Sequence, residues 1–113
     1  MIEIYHNPRC SKSRAGLKYV QEHTNDYKII EYFKEPFDEE SLKGLLMKLN
    51  AKPHDIVRTQ EAIYKSDYKG KDFTDDEWIK ILLENPKLIK RPIVVSGYKA
   101  IWGVPVEELD ELF

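Results

Sequence analysis

The sequence of 113 residues predicts an α/β fold, with a mixed sheet of about four strands and a helical insert at about residues 38–86. The chain begins with a strand, a helix and a second strand. Near its end, residues 91–103 carry β-forming residues around a Ser-Gly turn, the pattern of a β-hairpin. The segment between has only helical patterns. With 42% hydrophobic residues, the whole chain, 1–113, is expected to form a single domain.

The first strand and helix meet at the only cysteine. Residues 1–5 alternate apolar and polar side chains and stop at the Asn-Pro turn of residues 7–8, so Cys10 directly follows a short strand. A helix is predicted to start near Ser11, with the hydroxyl of Ser11 or Ser13 as its cap. Its apolar face is expected to comprise Ala15, Leu17, Tyr19 and Val20.

The remaining elements follow in order. Residues 26–33 form a second strand, which a right-handed crossover places parallel to the first. A helix after Asp38 carries leucines at helical spacing, and another begins behind a Thr74 cap. After the hairpin, residues 105–113 predict a closing amphipathic helix. Neither a repeat nor a linker marks a second domain.

Composition excludes several classes of function. The net charge of -2 gives no general attraction to nucleic acid or to an anionic membrane. One cysteine cannot close an internal disulfide, no secretion signal is recognisable, and the apolar runs are too short to cross a bilayer. We therefore expect a cytoplasmic monomer. His23 and His54 have no metal-type spacing to each other or to Cys10, so neither a metal nor a bound cofactor is expected.

The cysteine is either buried filler or a nucleophile, and its neighbours favour the nucleophile. A thiol reacts as the thiolate, which helix N-terminal amides and nearby cations stabilise. Such groups surround Cys10 in the sequence: His6, Arg9, Lys12, Arg14 and the hydroxyls of Ser11 and Ser13.

Two familiar cysteine chemistries do not fit this loop. Helix-terminal amides with arginine also bind oxyanions, but a cysteine phosphatase needs an arginine six residues after the nucleophile, where Gly16 stands. A thioredoxin-type dithiol needs a second cysteine at the position of Ser13. Cys10 would therefore need an outside thiol to resolve any covalent intermediate.

Four stretches resemble the glutaredoxin-linked arsenate reductase family, with its Spx and YffB-like relatives. They are YHNPRCSKSR at residues 5–14, IVRT at 56–59, FTDD at 73–76 and LIKRPIVV at 88–95. They occur in order over nearly the whole chain, and the first and last are the most specific.

The resemblance implies a thioredoxin-like fold and a set of roles. Cys10 would attack arsenate, Arg58 and Arg91 would hold the oxyanion, glutathione would attack the adduct, and glutaredoxin would reduce the mixed disulfide. A cis Pro92 beside Cys10 is also implied. Residues that tune the thiol or support the loop would be His6, Asn7, Ser13, Arg14 and Pro92.

One position departs from the family, and two alternatives remain open. Val104 precedes Pro105 where the characterised arsenate reductases carry a third substrate arginine. An Spx-like regulator that binds RNA polymerase is one alternative, although such regulators often carry a C-x-x-C switch that Ser13 removes here. A glutathione-binding protein without arsenate turnover is the other.

Overall fold

The computed structural model describes residues 1–113, which form two compact units. One unit comprises residues 1–36 and 91–113, and the other comprises residues 37–90. The second unit corresponds closely to the predicted helical insert. That the whole chain acts as one domain stays a prediction.

The first unit is built on a four-stranded mixed sheet of order β2-β1-β3-β4. Strand β1 pairs parallel with β2 and antiparallel with β3, which in turn pairs antiparallel with β4. The elements are β1 (Ile2–His6), α1 (Ser11–His23), β2 (Tyr27–Glu31), β3 (Ile93–Ser96) and β4 (Lys99–Trp102). A parallel β-α-β unit joined to an antiparallel hairpin confirms the predicted α/β, thioredoxin-like class.

The core of this unit lies between the sheet and α1. Ile4 of β1, Val94 of β3 and Val20 of α1 are fully buried, because alternate residues of each strand face the helix. The hairpin turns at Gly97, whose φ of 60° suits glycine. Ala15 was expected on the apolar face of α1, but it is exposed, whereas Gly16 is buried.

The C-terminal segment differs from the prediction. Residues Val106–Leu112 form a 3-10 helix rather than an α-helix. Their apolar side chains recur every three residues, which a helix of three residues per turn places on one face. Leu109 is fully buried on that face.

The second unit contains α2 (Glu39–Leu49) and α3 (Asp75–Glu84). Asp38 caps α2 and Thr74 caps α3, each through a reciprocal capping box, as the sequence predicted for Thr74. Short 3-10 turns at Pro53–Ile56 and Pro86–Leu88 and a π-helical turn at Tyr64–Tyr68 complete the unit. Its core is formed mainly by Leu42, Leu45, Leu46, Trp78, Ile79, Leu82 and Leu88. Across both units, every helix is too short or too polar to traverse a lipid bilayer.

Candidate active site

Cys10 lies at the junction of β1 and α1, in a tight turn built by Asn7. The backbone N–H of Cys10 donates to the carbonyl of Asn7 at 3.0 Å, and the N–H of Arg9 donates to the Asn7 side-chain Oδ1 at 3.1 Å. Cys10 is itself the N-cap residue, with extended φ and ψ of -95° and 123°. The expectation that Ser11 or Ser13 caps α1 was therefore wrong, because the helix begins at Ser11 and its N-cap residue is Cys10.

The half-buried sulfur of Cys10 is surrounded by groups that favour the thiolate. Burial, the largest single influence, raises the pKa of the thiol, but the backbone N–H of Ser13, the guanidinium of Arg91 and the backbone N–H of Lys12 together outweigh it. The net pKa of Cys10 is lower than its ordinary value. Helix-terminal amides thus act on the sulfur, as the sequence of the loop predicted, but the cation that acts on it is not one of the loop cations.

The hydroxyl of Ser13 joins the end of β1 to the first turn of α1. Ser13 is fully buried, its Oγ accepts the backbone N–H of Asn7 at 2.9 Å, and it lies 2.7 Å from Nδ1 of His6. Burial lowers the pKa of His6, in spite of the opposing charge of Glu31. Ser13 thus reaches the sulfur through its backbone amide, and its hydroxyl holds the loop, whereas the sequence suggested a bond from hydroxyl to sulfur.

The cations near Cys10 in sequence act differently from the expectation. The guanidinium of Arg14 donates to the carbonyl of Pro8 at 2.9 Å, which fixes the turn ahead of the cysteine. Lys12 acts on the sulfur through its backbone N–H rather than its ammonium group, and the charge of Arg9 does not contribute to the lowered pKa of Cys10. Arg9 and Lys12 are exposed, so water screens their charges.

The cation that acts on Cys10 comes from the far end of the chain. Arg91 is only 8% exposed, and it hydrogen-bonds to the sulfur with its side chain. Strand β4 holds the backbone around it, because the indole N–H of Trp102 donates to the carbonyl of Arg91 at 3.3 Å. Pro92 follows, fully buried, and its peptide bond with Arg91 is cis, as the resemblance implied. Val104–Pro105 is a second cis bond.

Arg58 belongs to the second unit, where it forms an ion pair with Glu61. Nε and Nη2 of Arg58 each lie 3.1 Å from Oε2 of Glu61, and both side chains are largely buried. The backbone N–H of Arg58 donates to the carbonyl of Leu88 at 2.7 Å. The arginine is thus held in a fixed position within its own unit.

Sequence reasoning missed two residues of the Cys10 neighbourhood, Gly16 and Trp102. Gly16 packs directly against Pro92, and Trp102 supports the backbone of Arg91. Neither has a local signal, since both act across the fold. No cluster of three or more histidine, cysteine, aspartate or glutamate side chains is arranged to hold a metal ion.

Comparisons with known proteins find relatives over almost the whole chain. A profile of the ArsC family matches residues 5–112. The arsenate reductase of Haemophilus influenzae is 37% identical, over 98% of this chain and 97% of the relative. The arsenate reductase of Neisseria meningitidis serogroup A is 33% identical, over 96% and 95% respectively. The solved structure of an arsenate reductase from Vibrio cholerae superposes with a TM-score of 0.92 at 35% identity, covering 99% of this chain and 97% of that one.

Proposed function

Because the chain belongs to the ArsC family, we propose that it reduces arsenate, with Cys10 as nucleophile, Arg91 as oxyanion ligand, and glutathione with glutaredoxin as the source of electrons. The coarser function follows directly from the relatives and the fold: the protein is an arsenate reductase-like, thiol-dependent enzyme. The nucleophile, the oxyanion ligand and the reducing partner are the proposal.

The observation that carries the proposal is the pairing of Cys10 with Arg91. The rate of attack depends on the fraction of the thiol that is present as thiolate. Helix amides and a guanidinium lower the pKa of Cys10 and so raise that fraction. The same groups suit arsenate, since amides at a helix N-terminus and arginine bind tetrahedral oxyanions. Held at the sulfur, the anion is positioned for attack, and this lowers the entropic cost of the step.

The chemistry balances with one protein sulfur and an outside thiol. The Cys10 thiolate attacks arsenic(V) and forms a sulfur–arsenic bond, while a protonated arsenate oxygen leaves as water. The glutathione thiolate then attacks the Cys10 sulfur, and the electron pair of the sulfur–arsenic bond stays on arsenic, which leaves as arsenite. The two sulfurs are thereby oxidised to a mixed disulfide. Glutaredoxin takes up the glutathionyl group, and the Cys10 thiolate is restored.

The supporting residues are proposed to preserve the geometry of the loop. Asn7 builds the turn, Arg14 fixes it to Pro8, and Ser13 joins it to His6 through buried hydrogen bonds. Pro92 sets the direction of the backbone after Arg91. Because this cycle consumes reduced thiols, we also propose that the protein works in the cytoplasm; a monomeric state stays a prediction.

This chain has fewer arginines to bind the substrate than the characterised enzymes have. Val104 stands where they carry an arginine, so one oxyanion contact of that kind is absent. A contact from Arg58 stays a prediction of the resemblance. If cation number limits affinity, Val104→Arg should lower KM for arsenate, and Arg58→Ala should raise it.

The test is arsenate-dependent NADPH oxidation by the purified protein with glutathione, glutaredoxin and glutathione reductase. We expect turnover that Cys10→Ser abolishes and that Arg91→Ala strongly reduces. Ser11→Ala is the matched control, because Ser11 neighbours the nucleophile but is exposed. Turnover that persists in Cys10→Ser would contradict the proposed nucleophile. If the folded protein has a thiol of low pKa but no arsenate turnover, arsenate is rejected as the substrate. An RNA polymerase pull-down would then test the alternative of an Spx-like regulator.

A further inference from the structure

Gly16 lies in the second turn of α1, buried where the helix meets Pro92. A Cβ at position 16 would lie 2.4 Å from Cγ of Pro92 and 3.2 Å from its Cβ. The proline ring is fully buried, and ring closure limits it to a change of pucker, which moves Cγ but leaves the close contact with Cβ. The helix can therefore approach the Arg91–Pro92 segment this closely only with glycine at position 16.

This contact joins the two parts of the structure that act on Cys10. Helix α1 supplies the amides of Lys12 and Ser13, and the segment on the other side of the contact supplies the guanidinium of Arg91. The distance between helix and segment thus sets the distance between the two kinds of thiolate-stabilising group.

The Arg91–Pro92 segment is also held by the last residue of β4 and by the residue that follows it. The backbone N–H of Gly103 donates to the carbonyl of Pro92 at 2.9 Å, and the indole of Trp102 donates to the carbonyl of Arg91 at 3.3 Å. A methyl group at position 16 would therefore press on a segment anchored on its far side. Either α1 must move, and with it the N-terminal amides, or the segment must move, and with it Arg91.

We propose that Gly16 is a positioning residue, whose missing side chain lets α1 and the Arg91–Pro92 segment converge on Cys10. Helix propensity does not explain a glycine here, because alanine is the best helix former and glycine is among the poorest. The inference rests on the proposed role of Cys10 as a nucleophile, but it does not depend on arsenate as the substrate.

The test measures the rate of Cys10 alkylation by iodoacetamide against pH, in the folded full-length protein. In Gly16→Ala we expect the thiolate-dependent limb to move to higher pH, so that the rate at any pH on the rising limb falls about tenfold for each unit of displacement. The matched glycine control is Gly44→Ala in α2, where a Cβ would meet nothing within 4 Å and the profile should stay unchanged. Val20→Ala, also in α1, opens a core cavity and should lower Tm while leaving the profile in place.

The outcomes separate positioning from general destabilisation. An unchanged profile in folded Gly16→Ala overturns the proposal, and so does an equal displacement in Gly16→Ala and Val20→Ala. Gly44→Ala should stabilise α2, because alanine is the better helix former, so it offers a more stable background for Gly16→Ala. If Gly16→Ala does not fold even in that background, the contact is a requirement of the fold and the proposal is rejected. The protein could also show a lowered Cys10 pKa and a profile displaced in Gly16→Ala, yet no arsenate turnover. That result would uphold the inference and reject arsenate as the substrate.

Discussion

Ser13→Ala should destabilise the protein far more than the loss of one oxygen atom suggests. The Ser13 Oγ is fully buried and serves two groups, the backbone N–H of Asn7 at 2.9 Å and Nδ1 of His6 at 2.7 Å. Alanine fills most of the space but leaves both groups unsatisfied. A buried polar group without a partner costs about 1–3 kcal/mol, so the two together should lower the free energy of unfolding by about 2–6 kcal/mol.

The assay is urea unfolding, followed by circular dichroism, with Ser11→Ala as the control. Ser11 occupies the same helical turn but is exposed, so its replacement should change stability by no more than about 0.5 kcal/mol. A Ser13→Ala protein within about 0.5 kcal/mol of the native one would refute the reasoning from buried hydrogen bonds. The Ser13→Ala protein also tests the role of the backbone amide. Because alanine keeps the N–H of residue 13, this group should still stabilise the thiolate, and the pH dependence of Cys10 alkylation should be unchanged.

Three further predictions follow. Arg91→Gln removes the cation beside the sulfur, so the pKa of Cys10 should rise and the alkylation profile should move to higher pH. Burial lowers the pKa of His6 in the folded state, so on acidification the unfolded state takes up a proton first. The free energy of unfolding should therefore fall as pH drops from about 6.5 through the folded-state pKa. His6→Gln should flatten this pH dependence, measured by urea unfolding at a series of pH values. Thr74→Ala removes the N-cap of α3 and should cost about 1 kcal/mol in the same assay.

Each of the three has a result that contradicts it. A Cys10 profile unmoved by Arg91→Gln would mean that the amides alone stabilise the thiolate. An equal loss of stability on acidification in His6→Gln would assign the effect to other groups. The same stability in Thr74→Ala as in the native protein would show that the Thr74–Glu77 capping box contributes nothing to α3.

Features written in short stretches of sequence were predictable. The alternation of residues 1–5, the Thr74 cap and the Ser-Gly turn each have a local cause, and the structure contains all three elements. The position of Cys10 at a helix start followed from the same kind of signal. The 3-10 form of the C-terminal segment was missed, because a three-residue apolar repeat also fits one face of an α-helix.

The surroundings of the sulfur were only partly predictable, because side-chain direction depends on the fold. Arg9 and Lys12 are adjacent to Cys10 in sequence, yet their side chains are exposed, while Arg91 reaches the sulfur from a distant segment. Only the family resemblance pointed to Arg91. Gly16 gave no signal at all, since its role is the room it leaves for Pro92. The roles of Arg58 and of the supporting residues stay predictions.

The assembly of this site from both ends of the chain has a consequence during synthesis. A ribosome releases Cys10 early, but Arg91 only after residues 37–90 have been made. Until then β1 has no β3 beside it, and α1, with 13 residues, is marginal as an isolated helix. The thiol of the nascent chain therefore lacks the guanidinium that lowers its pKa in the folded protein. The lowered pKa of Cys10 therefore depends on a group that is synthesised about 80 residues after the cysteine itself.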